Sequence, residues 1–154
     1  MDFSGKSKIY VATAQARDAE MQARIGDHRE RRGDGWRTIE APLDVVAALK
    51  QATGADVVLL DCATLWLSNQ LLAGADVERE CDGLLGALAR CTADVVVVSN
   101  EVGQGIVPEN ALARRFRDEQ GRLNQSLAAM SDLAVLVAAG LPLVLKGALP
   151  TGFA

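Results

Sequence analysis

His28 is the only histidine of the chain, and Arg24, Arg29, Arg31, Arg32 and Arg37 stand close to it in sequence. The protein as a whole is acidic, with a formal net charge of -4, so this local positive field runs against the average. Imidazole is nucleophilic near neutral pH, and guanidinium groups match phosphate oxygens in charge and in fork geometry. A phosphate-handling site is one reading of Ala19–Glu40. A solvated basic helix end with one surface histidine is the other, because charge runs are commonly solvated faces.

Asp61 is the second chemical signal. It follows Val57–Leu60, four apolar residues in a row. An apolar run closed by a carboxylate has the form of a Walker B strand, whose acid stands at the carboxyl edge of a parallel sheet near Mg²⁺ and ligand phosphates. Many buried strands also end in Asp, so the run alone leaves both readings open. Ser4-Gly5-Lys6-Ser7 matches the second half of the phosphate-binding pattern G-x-x-x-x-G-K-[ST]. The full pattern needs a preceding strand, an opening glycine and a following helix. Here Lys8–Ala14, KIYVATA, reads as a strand, so the tetrapeptide by itself is a weak signal.

The elements that must position these groups alternate along the chain. Lys8–Ala14 reads as a buried strand, and Asp18 as the N-cap of a helix running through Arg32. In that helix Met21, Ile25 and His28 recur at helical spacing, a pattern that also suits a core histidine. Gly33 and Gly35 stop it. Trp36–Ala41 reads as a short strand closed by Pro42, and Leu43–Ala52 as a short helix. Val57–Leu60 and Val95–Val98 read as strands apolar on both faces, as in a parallel sheet covered on both sides. Leu65–Leu72 and Val77–Arg90 read as helices, the second with Leu84, Leu85 and Leu88 on one face. Ser99–Asn110 reads as a loop at a carboxyl strand edge, where open α/β sheets bind ligands. Ala111–Met130 reads as a long helix, and Leu133–Ala138 and Leu141–Lys146 as an antiparallel pair. Together these predict an α/β fold with a mostly parallel sheet.

At 154 residues with 49% hydrophobic and 23% charged residues, the chain reads as one soluble domain. Lys and Arg number 16 against 20 Asp and Glu, which argues against a general nucleic-acid surface. Cys62, Cys81 and Cys91 form neither a disulfide framework nor a zinc spacing, and read as buried small apolar side chains. No signal peptide and no apolar run of about 18 residues is visible, so the expected location is the cytoplasm.

Several blocks taken together resemble one family. They are KIYVATAQ, EMQARIGDHRERRGDGWRTIEAP, VVLLDCATLWLSNQL, VVVVSNEVGQGIVPENALARRFRDEQGRLNQSLA and LVAAGLPLVLK, running from about Lys8 to Lys146. They look like the bifunctional adenosylcobinamide kinase / adenosylcobinamide-phosphate guanylyltransferases of cobalamin biosynthesis. The resemblance implies a RecA-like P-loop fold. It implies phosphorylation of adenosylcobinamide with ATP or GTP, then transfer of GMP from GTP through a guanylyl-histidine. By this resemblance His28 is the nucleophile. Nucleotide contacts fall on Ala12, Thr13, Ala14, Arg29, Glu30, Arg31, Arg32, Glu40 and Asp61, and the end of the P-loop on Ser4, Gly5, Lys6 and Ser7. Mg²⁺ would be held by Ser7 and Asp61, Glu40 is a candidate for reading the guanine edge, and a homo-oligomer, trimer or hexamer, is implied.

The departure lies at the start. Members of the family carry a strand, a Gly-Gly-x-x-Ser-Gly-Lys-Ser loop and a helix before the KIYVATAQ strand, whereas Ser7 here joins Lys8 directly. A loop without that helix lacks the dipole and the scaffold that cradle phosphates. The competing expectation is therefore a non-catalytic corrinoid- or nucleotide-binding module. A generic P-loop nucleotidase is a third reading, against which the NEVGQGIVPEN loop speaks.

Overall fold

The computed structural model describes residues 5–15, 19–33 and 35–150. The expected N-cap Asp18 and the expected P-loop residue Ser4 lie outside the described residues. Of the side chains of Ala19, Met21, Arg24, Ile25, His28 and Arg31 only the helical backbone is described.

The elements alternate as the sequence predicts: β1 (Ser7–Ala12), α1 (Ala19–Arg32), β2 (Trp36–Glu40), α2 (Val45–Leu49), β3 (Asp56–Asp61), α3 (Ala63–Leu72), α4 (Val77–Arg90), β4 (Asp94–Val98), α5 (Ala111–Met130), β5 (Ala134–Ala138) and β6 (Leu141–Lys146). The first four strands form a parallel sheet in the order β2-β1-β3-β4. β5 and β6 form a separate antiparallel pair.

Register and burial divide the sheet into two unlike faces. Ile9, Val11, Val58 and Leu60 point to one side and are at most 1% exposed. There they join Val45 and Leu49 of α2, Trp66 and Leu67 of α3, and Leu84 of α4 in one core. Tyr10, Ala12, Glu40 and Asp61 belong to the alternate set of positions on β1, β2 and β3. Arg32 at the end of α1 lies over the Tyr10 ring, so α1 approaches this second face. Right-handed crossovers produce this division: β1 to β2 steps one way along the sheet, β2 to β3 steps back, and the connecting helices fall on opposite sides.

Helix starts follow short polar side chains. Asp44 accepts from Ala47 N at 2.9 Å at the head of α2, and Asn110 accepts from Leu112 N at 2.8 Å and Ala113 N at 3.1 Å at the head of α5. Cys62 stands at the N-cap of α3, where its Sγ accepts from Leu65 N at 3.4 Å.

One expectation is only half met. The all-valine run of β4 is not covered on both sides among the described residues: β4 is the last strand of its sheet, with Val96 41% and Val98 39% exposed. Apolar content shows that a run can be buried, but not which element will lie against it. The final pair is hairpin-joined as expected. Ala139 and Gly140 both take positive φ, 53° and 77°, the signature of a tight turn that matches strand twist.

Gly147 closes the end of β6 at φ 75°. A Cβ there would be driven onto the Asp132 carbonyl oxygen, with the Leu133 Cα 3.2 Å away. Gly147→Ala should therefore cost about 1–3 kcal/mol from backbone conformation alone, and more from the clash. Urea unfolding checks this, and a loss below about 0.5 kcal/mol would contradict it.

Candidate functional site

β1 and β3 are neighbours whose outgoing connections run to opposite faces, the switch point at whose crevice open α/β sheets bind ligands. Ala12, the last residue of β1, pairs with Glu40 on one side and Asp61 on the other. The structure thus brings three of the predicted residues into one row. Adjacent strands lie about 4.8 Å apart, so the two carboxylates flank Ala12 across two strand spacings. Ala14 is half-buried just beyond this row.

Thr13 closes the crevice from within. It is fully buried. Its N–H donates to Asp61 O at 3.2 Å, its hydroxyl donates to Cys62 O at 2.8 Å, and the same oxygen accepts from Cys62 N at 2.8 Å. Its carbonyl accepts from Asn69 Nδ2 at 2.8 Å. Each polar atom of Thr13 therefore has a protein partner, and the residue acts by fixing the chain at Asp61 and Cys62.

α3 supports the same edge from below. Asn69 Nδ2 also donates to Pro42 O at 3.0 Å, while Trp66 Nε1 and Gln70 Nε2 both donate to Leu43 O at 2.9 Å. These bonds tie the turn after β2 to the end of β1. The sequence reading passed over Asn69 and Gln70. The available signal was two amides inside a helix otherwise rich in Leu and Trp.

Asp61 has a second neighbour that the sequence reading missed. Tyr10 is 6% exposed, and its hydroxyl donates to Asp61 Oδ2 at 2.6 Å. The Arg32 guanidinium lies 3.3 Å from the Tyr10 ring centroid, and Trp36 meets the same ring edge-on at 6.3 Å. Arg32 is thereby linked to Asp61 through one aromatic ring. His28 lies one helical turn before Arg32 on α1, and Arg29 and Glu30 are exposed beside it.

Burial, then the hydrogen bond and the charge of Asp61, push the Tyr10 phenol above the ordinary tyrosine range, with Arg32 working the other way. The folded chain holds this proton more tightly than the unfolded chain. The stabilisation is complete below about pH 10, the unfolded value, and is lost as pH rises toward the folded value. Stability should fall by up to ~1.4 kcal/mol per pH unit in that alkaline window. Tyr10→Phe should flatten the decline in urea unfolding, and an equally steep profile in the variant would contradict it.

Gly5, Lys6 and Ser7 fall elsewhere. Ser7 is the first residue of β1 and pairs with Asp56, the first residue of β3. It is separated from Asp61 by five strand residues, about 17 Å. The structure therefore places the two expected Mg²⁺ ligands at opposite ends of the sheet. The cause is local: the chain becomes strand at Ser7, where a phosphate loop would need to become helix. Lys6 instead pairs with Asp94, at the start of β4, at 2.7 Å.

A shallow cavity of about 530 Å³ opens at this amino edge, lined by Lys6, Ser7, Lys8, Gly35, Arg37 and Asp56. Its cations are engaged. Besides the Lys6 pair, Lys8 stands over the Trp36 ring at 5.8 Å and Arg37 reaches Gln51 at 3.5 Å. The carboxyl edge, which joins two carboxylates to the point where the strand order reverses, is the better chemical candidate.

The loop after β4 is held by a polar cluster. Ser99 Oγ donates to Asn124 Oδ1 at 2.6 Å, Gln120 Nε2 donates to both, and Asn100 N donates to Thr64 Oγ1 at 2.7 Å. The loop's Ile106 is 97% exposed. Burial pushes the Cys62 thiol up and the Cys81 thiol up to about 11, which disfavours the nucleophilic thiolate at both.

A doubly wound parallel sheet with carboxylates at its switch point and an arginine-bearing helix beside them defines an α/β protein of the nucleotide-handling, P-loop class. The chain belongs to the family described as cobinamide kinase / cobinamide phosphate guanyltransferase, whose sequence model matches residues 1–145. It is 44% identical over 149 residues to the bifunctional adenosylcobalamin biosynthesis protein CobP of Pseudomonas aeruginosa, covering 94% of this chain and 85% of that one. It is 43% identical over 155 residues to the Salmonella typhimurium CobU protein and 40% identical over 154 residues to that of Escherichia coli, both bifunctional adenosylcobalamin biosynthesis proteins. Each match covers 90% of this chain and 85% of the relative. Among the described residues no helix is long and apolar enough to cross a membrane.

Proposed function

We propose that this chain phosphorylates adenosylcobinamide and transfers GMP from GTP to adenosylcobinamide phosphate, with His28 as the covalent carrier. Family membership sets the pair of reactions. The observation that supports GMP transfer is the row Glu40–Ala12–Asp61, joined through Tyr10 to the arginine end of the helix that bears His28.

In this reading a lone pair of the neutral His28 imidazole forms a bond to the α-phosphorus of GTP. The bond to the bridging oxygen breaks, and pyrophosphate leaves with the electron pair. A phosphate oxygen of the phosphorylated corrinoid then attacks the same phosphorus and the imidazole departs. Arg29, Arg31 and Arg32 supply positive charge where the triphosphate develops negative charge. Glu40 can accept from the N1–H and 2-amino groups of guanine, an edge adenine does not present. Ala12 and Ala14 line the crevice with small side chains, so that a ligand can approach the strand end closely.

Mg²⁺ suits a site of this kind, since it takes one or two carboxylates and completes its shell with water and substrate phosphates. Asp61 fits that donor set as its one carboxylate and Ser7 does not. When bound, the ion would neutralise phosphate charge.

A second reading, a corrinoid- or nucleotide-binding module without phosphate chemistry, is favoured by the placement of Gly5, Lys6 and Ser7 at the far edge of the sheet. Intact mass after incubation with GTP and Mg²⁺ separates the two. A gain of one GMP supports transfer, and folded protein that gains nothing supports the second reading. Assembly as a homo-oligomer and a cytoplasmic setting belong to the same proposal. A monomer by sedimentation would remove the first.

A further inference from the structure

Tyr10 is the only tyrosine of the chain, and it stands in the middle of an apolar strand. A phenylalanine would meet the packing needs of that position. A buried hydroxyl is costly unless it is bonded, and this one is bonded to a carboxylate two residues beyond its own cross-strand partner. Tyr10 pairs with Leu59, and Asp61 is the diagonal neighbour. Ala12, directly opposite Asp61, carries only a methyl group, which leaves room for the phenol to reach across. The 2.6 Å separation is that of a charge-assisted O–H to carboxylate bond. The face of the same ring seats the Arg32 guanidinium, and Trp36 braces its edge.

We propose that Tyr10 is a positioning residue of the nucleotide site: its hydroxyl sets the rotation of the Asp61 carboxylate and its ring seats the Arg32 guanidinium. Acidic and basic groups that arrive from β3 and α1 thus keep a fixed mutual geometry. Neither element supplies this alone, since Asp61 sits at a strand end and Arg32 at a helix end. This inference rests on the guanylyltransferase reading above.

Two measurements test it on the full chain. The first needs no activity: urea unfolding at neutral pH of Tyr10→Phe, Asp61→Ala and the double variant. Residues joined by a hydrogen bond are coupled, so the double variant should lose less stability than the sum of the two single losses. Additive losses overturn the Tyr10–Asp61 link.

The second is single-turnover GMP-adduct formation across GTP concentrations. Tyr10→Phe keeps the ring and removes the hydroxyl, so the maximal rate should fall about tenfold while half-saturating GTP changes by less than about threefold. Tyr10→Leu also removes the seat of Arg32 and should raise half-saturating GTP by about tenfold. A merely structural role would lower the melting temperature without this division between rate and saturation. A folded Tyr10→Phe with wild-type rate and wild-type GTP dependence overturns the inference alone. Wild-type protein that forms no adduct overturns the guanylyltransferase reading, and the role of Tyr10 in it.

Discussion

His28→Ala should abolish the covalent GMP adduct. The argument begins with a count: the chain contains one histidine, so a guanylyl-imidazole can form at one position only. His28 lies on α1, one turn before Arg32, whose guanidinium is tied through Tyr10 to Asp61. The proposed nucleophile and the positive field that would receive a triphosphate are therefore carried by one helix. Alanine is a good helix former, so the substitution removes the imidazole and spares the backbone. Loss of a covalent nucleophile should reduce adduct formation by about 10³-fold or more. Wild-type protein incubated with GTP and Mg²⁺ should gain one GMP by intact mass, and acid should release it, as expected of a phosphoramidate. An adduct of equal yield on His28→Ala would move the nucleophile to another residue and remove the assignment.

Part of this site is legible in the sequence because its signals are local. Four apolar residues followed by Asp61 place a carboxylate at the end of a buried strand, and β3 ends there. The helix expected from Ala111 begins there as α5, and a two-residue gap between apolar runs marks the β5–β6 turn. Asp61 is readable as a strand end, whereas Glu40 and Ala12 enter through the family resemblance. That Ala12 lies between the two carboxylates is not readable, because parallel register depends on crossovers between distant segments. Tyr10 is hidden for the same reason: its partner Asp61 lies 51 residues away. Asn69 and Gln70 belong to an apolar helix by pattern, yet they serve as ties to backbone carbonyls of Thr13, Pro42 and Leu43. For Ser-Gly-Lys-Ser the local signal and the placement differ. Its residue types fit a phosphate loop, while the strand that begins at Ser7 puts Gly5, Lys6 and Ser7 at the amino edge, away from Asp61. The place of β4 at the end of its sheet among the described residues is likewise non-local, since a run of valines does not reveal its neighbours.

Asp61→Asn should separate the charge of the site from its shape. The amide is nearly isosteric with the carboxylate, and its carbonyl oxygen can still accept from Tyr10. The strand end is held independently, by Thr13 N to Asp61 O and by the paired Thr13–Cys62 bonds, and none of these uses the side chain. Folding and the stacking of Arg32 on Tyr10 should therefore persist. What is lost is one negative charge at the switch-point crevice, where a triphosphate needs a cation between it and the protein. A site that depends on this carboxylate should lose about 10²–10³-fold in the rate of adduct formation, the range seen for removal of one preorganised electrostatic group. The dependence on Mg²⁺ concentration gives the sharper reading. If Asp61 helps to hold the ion, Asp61→Asn should need several-fold more Mg²⁺ to reach half its own maximal rate. Glu40→Gln should leave that Mg²⁺ requirement unchanged and weaken the preference for GTP over ATP. A folded Asp61→Asn with a rate within about threefold of wild type would place the phosphate chemistry away from the β1–β3 crevice.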